Sequence, residues 1–291
     1  MKGSKDISHV MSSKFKMYCV IGDPIDHSLS PIMHNSAFKA LGINSSYISC
    51  RVTKSELKSA VQSLRSIDIS GFNVTIPHKI DIVKYLDELD ESSSHSSAVN
   101  TVKNSHGKFI GYNTDVYGFV TPLHNRNIKF NGMKVLILGA GGAAYAIVTA
   151  LSRESGISRV TVFNRSKINA LKLLKHASQL GLNCDFQELD SLQNVAFRSN
   201  LIINATSLGL NNEQSPISSK YIDKNTIVYD IVYSPIYTNL IKNARKVGAT
   251  VIYGYEMLLE QGAQAFKIWT GLDAPLDVMK KSLLGIFGEP L

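Results

Sequence analysis

The stretch Lys134-Val-Leu-Ile-Leu-Gly-Ala-Gly-Gly-Ala-Ala144 runs from an apolar strand through a glycine-rich turn towards a helix. In the pattern Gly139-x-Gly141-x-x-Ala144, the first glycine permits a tight turn and the second lets the backbone approach a pyrophosphate. Ala144 allows the helix to pack closely on the strand, and the helix N-terminus offers free N–H groups to the phosphates. Strand, turn and helix in this order predict a dinucleotide-binding unit rather than a Gly/Ala-rich packing turn.

A second strand, Arg159–Phe163, leads into Asn164-Arg165-Ser166. An NAD-binding protein presents Asp or Glu to the ribose 2′-hydroxyl at this place, and the sequence has no acid there. A guanidinium beside a hydroxyl and backbone N–H groups suits a 2′-phosphate. The sequence therefore predicts NADP, rather than NAD, as the cofactor.

The composition is typical of a globular protein, with 291 residues, 44% hydrophobic and 19% charged. This length can bury a large core and predicts two domains. The uncharged stretch 135–151 is short for a membrane span and contains three glycines, so a buried strand and helix are favoured. Residues 1–16 are polar and basic without the apolar core of a signal peptide, and we expect a flexible extension.

The net charge of +8 could steer anionic small molecules into a cleft or attract nucleic acid. The Lys and Arg residues are spread along the chain without a nucleic-acid-binding module, so a solvated basic surface is favoured. Cys19, Cys50 and Cys184 are scattered, with neither metal-ligand spacing nor a disulfide framework. We therefore expect a cytoplasmic protein with no metal, no nucleic-acid partner and no membrane partner.

Short apolar strands alternate with amphipathic helices along the chain. In the first half, strands are predicted at Met17–Ile21, Tyr47–Arg51, Ile69–Val74 and Val99–Val102. Helical periodicity is present at Pro31–Leu41, Lys54–Arg65 and His78–Asp90. In the second half, strands are predicted near 134–138, 159–163, 201–204, 227–231 and 250–253. This alternation predicts an α/β fold with mostly parallel sheets and helices on both faces.

The last stretch, Glu256 to about Ile286, is helical and has no strand to pair with, so we expect it to return to the first domain. The predicted substrate domain is therefore discontinuous and comprises residues 1–114 and 255–291. Residues 115–254 are predicted to form the Rossmann-type domain that binds NADP.

Polar clusters fall at the ends of predicted elements, where α/β proteins build their sites. Ser28 and Ser30 lie at a helix N-terminus, a place suited to a carboxylate, although Ser30 is also explained as a plain N-cap. Asn73, Thr75 and Lys79 lie at a junction between a strand and a predicted helix. A lysine in a first helical turn is usually a solvated charge. The helix dipole disfavours a cation there, however, which makes Lys79 a candidate for proton transfer.

Three more clusters follow. Ala98-Val-Asn100-Thr101 and Gly111-Tyr-Asn-Thr-Asp115 flank a short hairpin-like segment, and Gln261 lies on the closing helix. By themselves, Asp115 predicts a helix N-cap and Gln261 a surface or helix-packing amide.

In order and spacing, these clusters resemble one family closely, the NADP-dependent shikimate dehydrogenases of bacteria and plants. The resemblance spans about residues 17 to 290. The stretches that carry it are Gly22-Asp-Pro-Ile-Asp-His-Ser-Leu-Ser-Pro31, Asn73-Val-Thr-Ile-Pro-His-Lys79, Ala98-Val-Asn-Thr101, Asn113-Thr-Asp115, Gly139–Ala144, Asn164-Arg165, Asn204-Ala-Thr-Ser-Leu-Gly209 and Met257-Leu-Leu-Glu-Gln261.

The resemblance implies an oxidoreductase that reversibly reduces 3-dehydroshikimate to shikimate with NADPH, in aromatic amino-acid (chorismate) biosynthesis. It implies a small-molecule substrate and a monomer or homodimer. By position, Lys79 and Asp115 match the catalytic pair. Substrate contacts are implied for this pair and for Ser28, Ser30, Asn73, Thr75, Asn100, Tyr233 and Gln261. Cofactor contacts are implied for Gly139, Ala140, Gly141, Gly142, Ala143, Asn164, Arg165, Ser166, Thr206, Ile231 and Gly254.

The chain departs from the family pattern at three places. Asn169 stands where a second basic residue is common, which weakens a 2′-phosphate clamp unless Lys167 compensates. Val116 replaces a usual glycine, and Asp23 replaces a common asparagine. Two alternatives stay open: a quinate/shikimate dehydrogenase that also accepts NAD, and a non-catalytic NADP-binding sensor on the same fold. The sensor is disfavoured because it would not need both members of the catalytic pair.

Overall fold

The computed structural model describes residues 15–210 and 214–288. Within these ranges the chain forms two six-stranded sheets with apolar clusters on both faces of each. The predicted α/β fold is confirmed. Most of the predicted extension, residues 1–14, lies outside the described residues. Its last residue, Lys16, already belongs to the first strand, so the extension was predicted too long.

The first sheet is built from residues 16 to 112. Its strands are β1 (Lys16–Gly22), β2 (Ser45–Arg51), β3 (Gly71–Val74), β4 (Glu88–Leu89), β5 (Thr101–Ser105) and β6 (Lys108–Tyr112). Their order is β2-β1-β3-β5-β6-β4, with parallel pairing at β2-β1-β3 and antiparallel pairing at β3-β5-β6. Because β2 and β3 lie on opposite sides of β1, a crevice forms at the carboxyl ends of β1 and β3.

The second sheet is parallel throughout its described pairs. Its strands are β7 (Lys134–Leu138), β8 (Arg159–Phe163), β9 (Cys184–Phe186), β10 (Leu201–Asn204), β11 (Ile227–Asp230) and β12 (Thr250–Ile252). The order β12-β11-β10-β7-β8-β9 is that of a Rossmann sheet, whose binding crevice lies between β7 and β10.

The helices cover both sheets. They are α1 (Ser30–Ala40), α2 (Leu57–Ser66), α3 (Glu91–Ser96), α4 (Thr114–Asn125), α5 (Gly142–Ser152), α6 (Lys167–Gln179), α7 (Leu192–Phe197), α8 (Asn239–Lys246), α9 (Gly254–Thr270) and α10 (Leu276–Ile286). None of the helices in the described part of the chain is long and apolar enough to cross a membrane.

The closing helices return to the first sheet, as expected. Phe266 and Trp269 of α9 and Met279 of α10 pack in one core with Tyr18 of β1 and Phe38 of α1. Burying side chains of this size contributes roughly 1.5–3 kcal/mol each, which holds the two ends of the chain together.

The predicted helix His78–Asp90 is wrong. This segment forms only a 3₁₀ helix at Asp81–Tyr85 and the two-residue strand β4 (Glu88–Leu89). The carbonyl of Lys79 accepts a hydrogen bond from the amide of Val99 at 2.8 Å, so it does not accept the i+4 bond that an α-helix needs. Lys79 therefore does not lie in the first turn of an α-helix, and the dipole argument for it fails.

Two predicted caps are also displaced. Ser30 is the first residue of α1, and Leu29 occupies the N-cap position without a side-chain cap. Asp115 lies in the first turn of α4, whose N-cap is Asn113, the acceptor of the Asp115 amide at 3.1 Å. Neither Ser30 nor Asp115 is therefore the N-cap of its helix.

Candidate active site

The centre of the site is an ion pair between Lys79 and Asp115. The distance from Lys79 Nζ to Asp115 Oδ2 is 2.6 Å, and the two side chains are 16% and 7% exposed. Lys79 lies on the turn after β3, and Asp115 lies in the first turn of α4, where the helix dipole favours a carboxylate. Because little water reaches the pair, its attraction is stronger than at an exposed surface.

Asn100 connects this pair to the neighbouring elements. Its Nδ2 donates to Asp115 Oδ1 at 2.8 Å and to Thr114 Oγ1 at 3.0 Å, and lies 3.4 Å from Gln261 Oε1. Its Oδ1 accepts from the Thr114 amide at 2.8 Å and from the Thr101 hydroxyl at 3.0 Å. A buried network of this kind holds each amide in one orientation.

Gln261 reaches the network because α9 packs tightly on α4. A β-carbon added at Gly118 would lie 2.7 Å from Gln261 Cβ and 2.9 Å from the amide nitrogen of the same residue. The absence of a side chain at Gly118 therefore sets the distance between the two helices.

Asn73 extends the network to the end of β3. Its Nδ2 donates to the carbonyl of Asn100 at 3.0 Å and to Thr101 Oγ1 at 2.9 Å. Its Oδ1 accepts from the hydroxyl of Tyr47 at 2.6 Å. Asn73 is thus a buried residue on the strand that leads to Lys79, and it joins the Lys79–Asp115 pair through Asn100.

Ser28 and Ser30 lie after β1, across the crevice from the end of β3. The Ser30 amide donates to Ser28 Oγ at 3.4 Å. Thr75 is half-buried, and its methyl group packs on Gly22. Tyr233 is half-buried after β11, and burial raises the pKa of its hydroxyl. Among the described residues, no hydrogen bond links the side chain of Thr75 or Tyr233 to the network around Asn100.

The glycine-rich turn lies next to Lys79. Gly139 has a φ of +106°, and a β-carbon there would lie 2.8 Å from the Ala205 carbonyl oxygen, so the turn requires glycine. Gly141 is the N-cap of α5, and a β-carbon there would meet no atom within 4 Å. A β-carbon on Gly142 would lie 3.3 Å from Lys79 Cβ. The turn therefore leaves open space at Gly141, the N-cap of α5, and lies against Lys79 at Gly142. Ala140 and Ala143 are the two remaining predicted residues of this turn.

The end of β8 carries a separate open cavity. Asn164, Arg165, Ser166 and Asn169 line this cavity of about 450 Å³. Asn164 Nδ2 donates to the Ser166 carbonyl at 2.8 Å, which shapes the turn. Lys167 does not belong to this lining, and its ammonium lies 3.4 Å from Glu188 Oε1. Among the described residues, Arg165 is thus the one cation in the lining. Lys167 does not compensate for the second basic residue that is common in the family at the position of Asn169.

Thr206, Ile231 and Gly254 lie at the carboxyl ends of β10, β11 and β12. Thr206 donates its hydroxyl to Asn204 Oδ1 at 2.6 Å. A β-carbon on Gly254 would lie 2.6 Å from the Ile231 carbonyl oxygen, so the two residues are in contact. Asn204 in turn donates to Asp230 Oδ1 at 2.9 Å.

Several residues of the site were not predicted from the sequence. They are buried polar residues that orient the predicted ones: Tyr47, Thr101, Thr114, Asn204 and Asp230. Thr101, Thr114 and Asn204 lie within motifs quoted in the sequence analysis, where no role was given to them, and Tyr47 and Asp230 had no signal beyond their position in predicted strands.

Three family models match successive parts of the chain. Residues 20–102 match the shikimate dehydrogenase substrate binding domain, 123–231 match shikimate / quinate 5-dehydrogenase, and 254–284 match the shikimate 5′-dehydrogenase C-terminal domain. The shikimate dehydrogenase (NADP(+)) of Nitrosopumilus maritimus is 50% identical over 272 residues, which cover 94% of this chain and 99% of that protein. The chain belongs to the shikimate dehydrogenase family. The resemblance noted in the sequence is thereby confirmed.

Solved shikimate dehydrogenases share the fold. One, in complex with NADP⁺, is 37% identical with a TM-score of 0.87, and the match covers 94% of this chain and 96% of that one. Another, from Thermus thermophilus in complex with NADP(H) and shikimate, is 34% identical with a TM-score of 0.82. That match covers 93% of this chain and 99% of the Thermus chain.

Proposed function

We propose that this chain catalyses the reversible, NADP-dependent reduction of 3-dehydroshikimate to shikimate in chorismate and aromatic amino-acid biosynthesis. The observation that carries the proposal is the Lys79–Asp115 pair, with Nζ and Oδ2 2.6 Å apart beside an open glycine-rich turn. The Nitrosopumilus relative bears the name of this activity, and the Thermus structure contains both ligands.

The residues of the second sheet fit NADP. The open N-terminus of α5 suits the pyrophosphate, with Gly139, Ala140, Gly141, Gly142 and Ala143 forming the turn. Asn164, Arg165 and Ser166 would hold the adenosine 2′-phosphate, since a guanidinium and a hydroxyl match its oxygens. Thr206, Ile231 and Gly254 would lie near the nicotinamide. NADP supplies or accepts the hydride when bound.

The residues of the first sheet would hold the substrate. Ser28 and Ser30 offer hydroxyl groups to the substrate carboxylate, with Tyr233 as a further donor. The ring hydroxyls would contact the polar groups at the ends of β3, β5 and α4 and on α9, namely Asn73, Thr75, Asn100, Asp115 and Gln261. These side chains are largely oriented before substrate binds, which reduces the entropy lost on binding.

Lys79 would move the proton. As negative charge builds on the carbonyl oxygen during reduction, the ammonium donates a proton to that oxygen. In the oxidation direction, the neutral amine takes the proton from the hydroxyl group. Asp115 holds the direction of Nζ through the 2.6 Å contact and is itself held by Asn100. Both members of the pair are therefore oriented for general acid/base chemistry.

We further propose that residues 1–114 and 255–291 form the substrate domain and residues 115–254 the NADP domain. The sheet built from residues 16–112 and the sheet built from residues 134–252 support this division. The chain is proposed to act in the cytoplasm as a monomer or homodimer.

The test is a four-way assay with purified protein. Shikimate or quinate is supplied with NADP or NAD, and the reaction is followed at the nicotinamide absorbance. We expect the fastest turnover with shikimate and NADP. Similar rates with quinate or NAD would support the quinate/shikimate alternative. The uncharged Asn169 in the cavity favours this alternative, because it adds no second cation for a 2′-phosphate. No turnover with any pair would refute the proposed function.

A further inference from the structure

Asn73 has little hydrogen-bonding capacity left for a substrate. Its two N–H donors point to the carbonyl of Asn100 and to Thr101 Oγ1, at 3.0 and 2.9 Å. Its Oδ1 accepts from Tyr47 at 2.6 Å. An amide oxygen accepts two hydrogen bonds, so one lone pair on Oδ1 stays available. Held in this way, Asn73 offers an acceptor, rather than a donor, to a substrate hydroxyl.

The hydroxyl of Tyr47 is fully buried, and burial holds its pKa well above the usual value. The hydroxyl therefore keeps its proton at neutral pH. It lies 2.6 Å from Oδ1 of Asn73, the residue proposed to bind a ring hydroxyl.

The ring of Tyr47 is fixed by two residues of α1 that the proposed mechanism does not use. Asn35 binds the backbone of Tyr47 twice, with its Nδ2 donating to the carbonyl and its Oδ1 accepting from the amide, both at 2.8 Å. His34 stacks on the tyrosine ring with centroids 4.6 Å apart and an interplanar angle of 15°. His34 and Asn35 thus follow Ser30 by about one turn of α1 and hold Tyr47 from the helix side.

We propose that Tyr47 is a positioning residue for substrate binding, because its hydroxyl fixes the orientation of Asn73. This role rests on the proposed function. Tyr47 affects substrate binding rather than the chemical step, since Asn73 neither donates nor accepts the proton in the reaction. Loss of the hydroxyl therefore raises the KM for shikimate more than it lowers kcat.

The decisive variant is Tyr47→Phe, which keeps the ring and removes the hydroxyl. Tyr18→Phe is the matched control, because Tyr18 pairs with Tyr47 in the register of β1 and β2 and is equally buried in the same core. We expect Tyr47→Phe to raise the KM for shikimate about tenfold, from the loss of one buried hydrogen bond, with kcat within about threefold of wild type. The KM for NADP and the melting temperature should stay close to those of Tyr18→Phe.

A double-mutant cycle with Asn73→Ala tests whether Tyr47 acts through Asn73. In that background, Tyr47→Phe should raise the KM for shikimate by less than about threefold, because the residue that it orients is gone. The same tenfold effect in both backgrounds would overturn the route through Asn73.

A Tyr47→Phe protein that matches Tyr18→Phe in every parameter would overturn the positioning role. These results are distinguishable from failure of the proposed function, which wild-type protein reveals by not oxidising shikimate. Asn35→Ala is a second variant that leaves the hydroxyl in place and frees the backbone of Tyr47, and it should raise the same KM.

Discussion

His34 should make the protein sensitive to acid. Its side chain is fully buried, and neither ring nitrogen has a hydrogen-bond partner among the described residues. Burial lowers its pKa from 6.5 to about 3, since no neighbouring group compensates for a charge there. In the unfolded chain the ring regains an ordinary pKa near 6.5. Acid therefore favours the unfolded chain, which binds the proton more readily.

The magnitude follows from the two pKa values. A pKa that is lower in the folded state contributes stability above the unfolded pKa, and this contribution is lost as pH falls towards the folded pKa. The full loss, down to pH 3, is about 5 kcal/mol for a shift of roughly 3.5 units. Between pH 7 and pH 5 the loss is about 2 kcal/mol, because the unfolded histidine protonates there while the folded one does not.

The assay is urea unfolding of wild type and His34→Phe at pH 5, 6 and 7. The phenylalanine keeps a ring against Tyr47 and has no titrating group. Relative to this variant, the wild type should lose about 2 kcal/mol of unfolding free energy from pH 7 to pH 5. His95→Phe is the control, because the ring of His95 is 51% exposed and reaches water. A difference between wild type and His34→Phe that does not change with pH would refute the reasoning.

Five further predictions concern the site and a residue that supports it. Lys79→Ala should lower kcat by at least about 100-fold with little change in KM. A folded variant that turns over at near wild-type rate would contradict a general acid/base role for Lys79. Asp115→Asn should lower kcat and also raise KM, because Asp115 is also proposed to bind substrate. Arg165→Ala should lower kcat/KM for NADP by about 10- to 100-fold and leave that for NAD almost unchanged, whereas equal losses would contradict a 2′-phosphate contact. Quinate carries an extra hydroxyl beside the carboxylate that Ser28 and Ser30 would crowd, so kcat/KM should favour shikimate by at least about tenfold, and comparable rates would contradict this. Burial raises the pKa of Asp230 from 3.8 to about 6, so the stability from its neutral form is present below pH 3.8 and lost as pH rises through 6. Relative to Asp230→Asn, the wild type should therefore lose about 2 kcal/mol of unfolding free energy between pH 4 and pH 7, and a difference that stays flat in urea unfolding would contradict it.

Five strands of the second sheet could be predicted within a residue at either end, whereas β9, with three half-buried residues, was not predicted. The five predicted strands are short, mostly apolar runs, such as the fully buried Leu201–Asn204. Such local patterns are visible in the sequence because every strand of a covered parallel sheet is apolar on both faces. The segment His78–Asp90 has helical periodicity as well, but a bond from Val99 to the Lys79 carbonyl prevents the helix. That partner is distant in the sequence, and periodicity contains no information about it.

The residues of the site could likewise be predicted only where the signal is local in the sequence. The positions of Asn73, Lys79 and Asp115 at element ends could be read from the sequence, and their roles were implied by the family resemblance. The contact between Lys79 and Asp115, which are 36 positions apart, depends on how α4 meets the end of β3. The link from Tyr47 to Asn73 was not predicted, because Tyr47 has the sequence pattern of an ordinary strand residue.

Asp230 shows why such supporting residues matter for the chemistry. Its carboxylate is fully buried at the end of β11 and accepts from Asn204 Nδ2 at 2.9 Å, the Val232 amide at 3.1 Å and Thr238 Oγ1 at 2.6 Å. Asn204 fixes Thr206, and the bonds to Val232 and Thr238 hold the segment that carries Tyr233. One carboxylate thus positions both the proposed nicotinamide contact and the proposed carboxylate contact. Burial outweighs these three bonds and raises the pKa of Asp230 to about 6, but the bonds still tie the segments that carry Thr206 and Tyr233 to one residue.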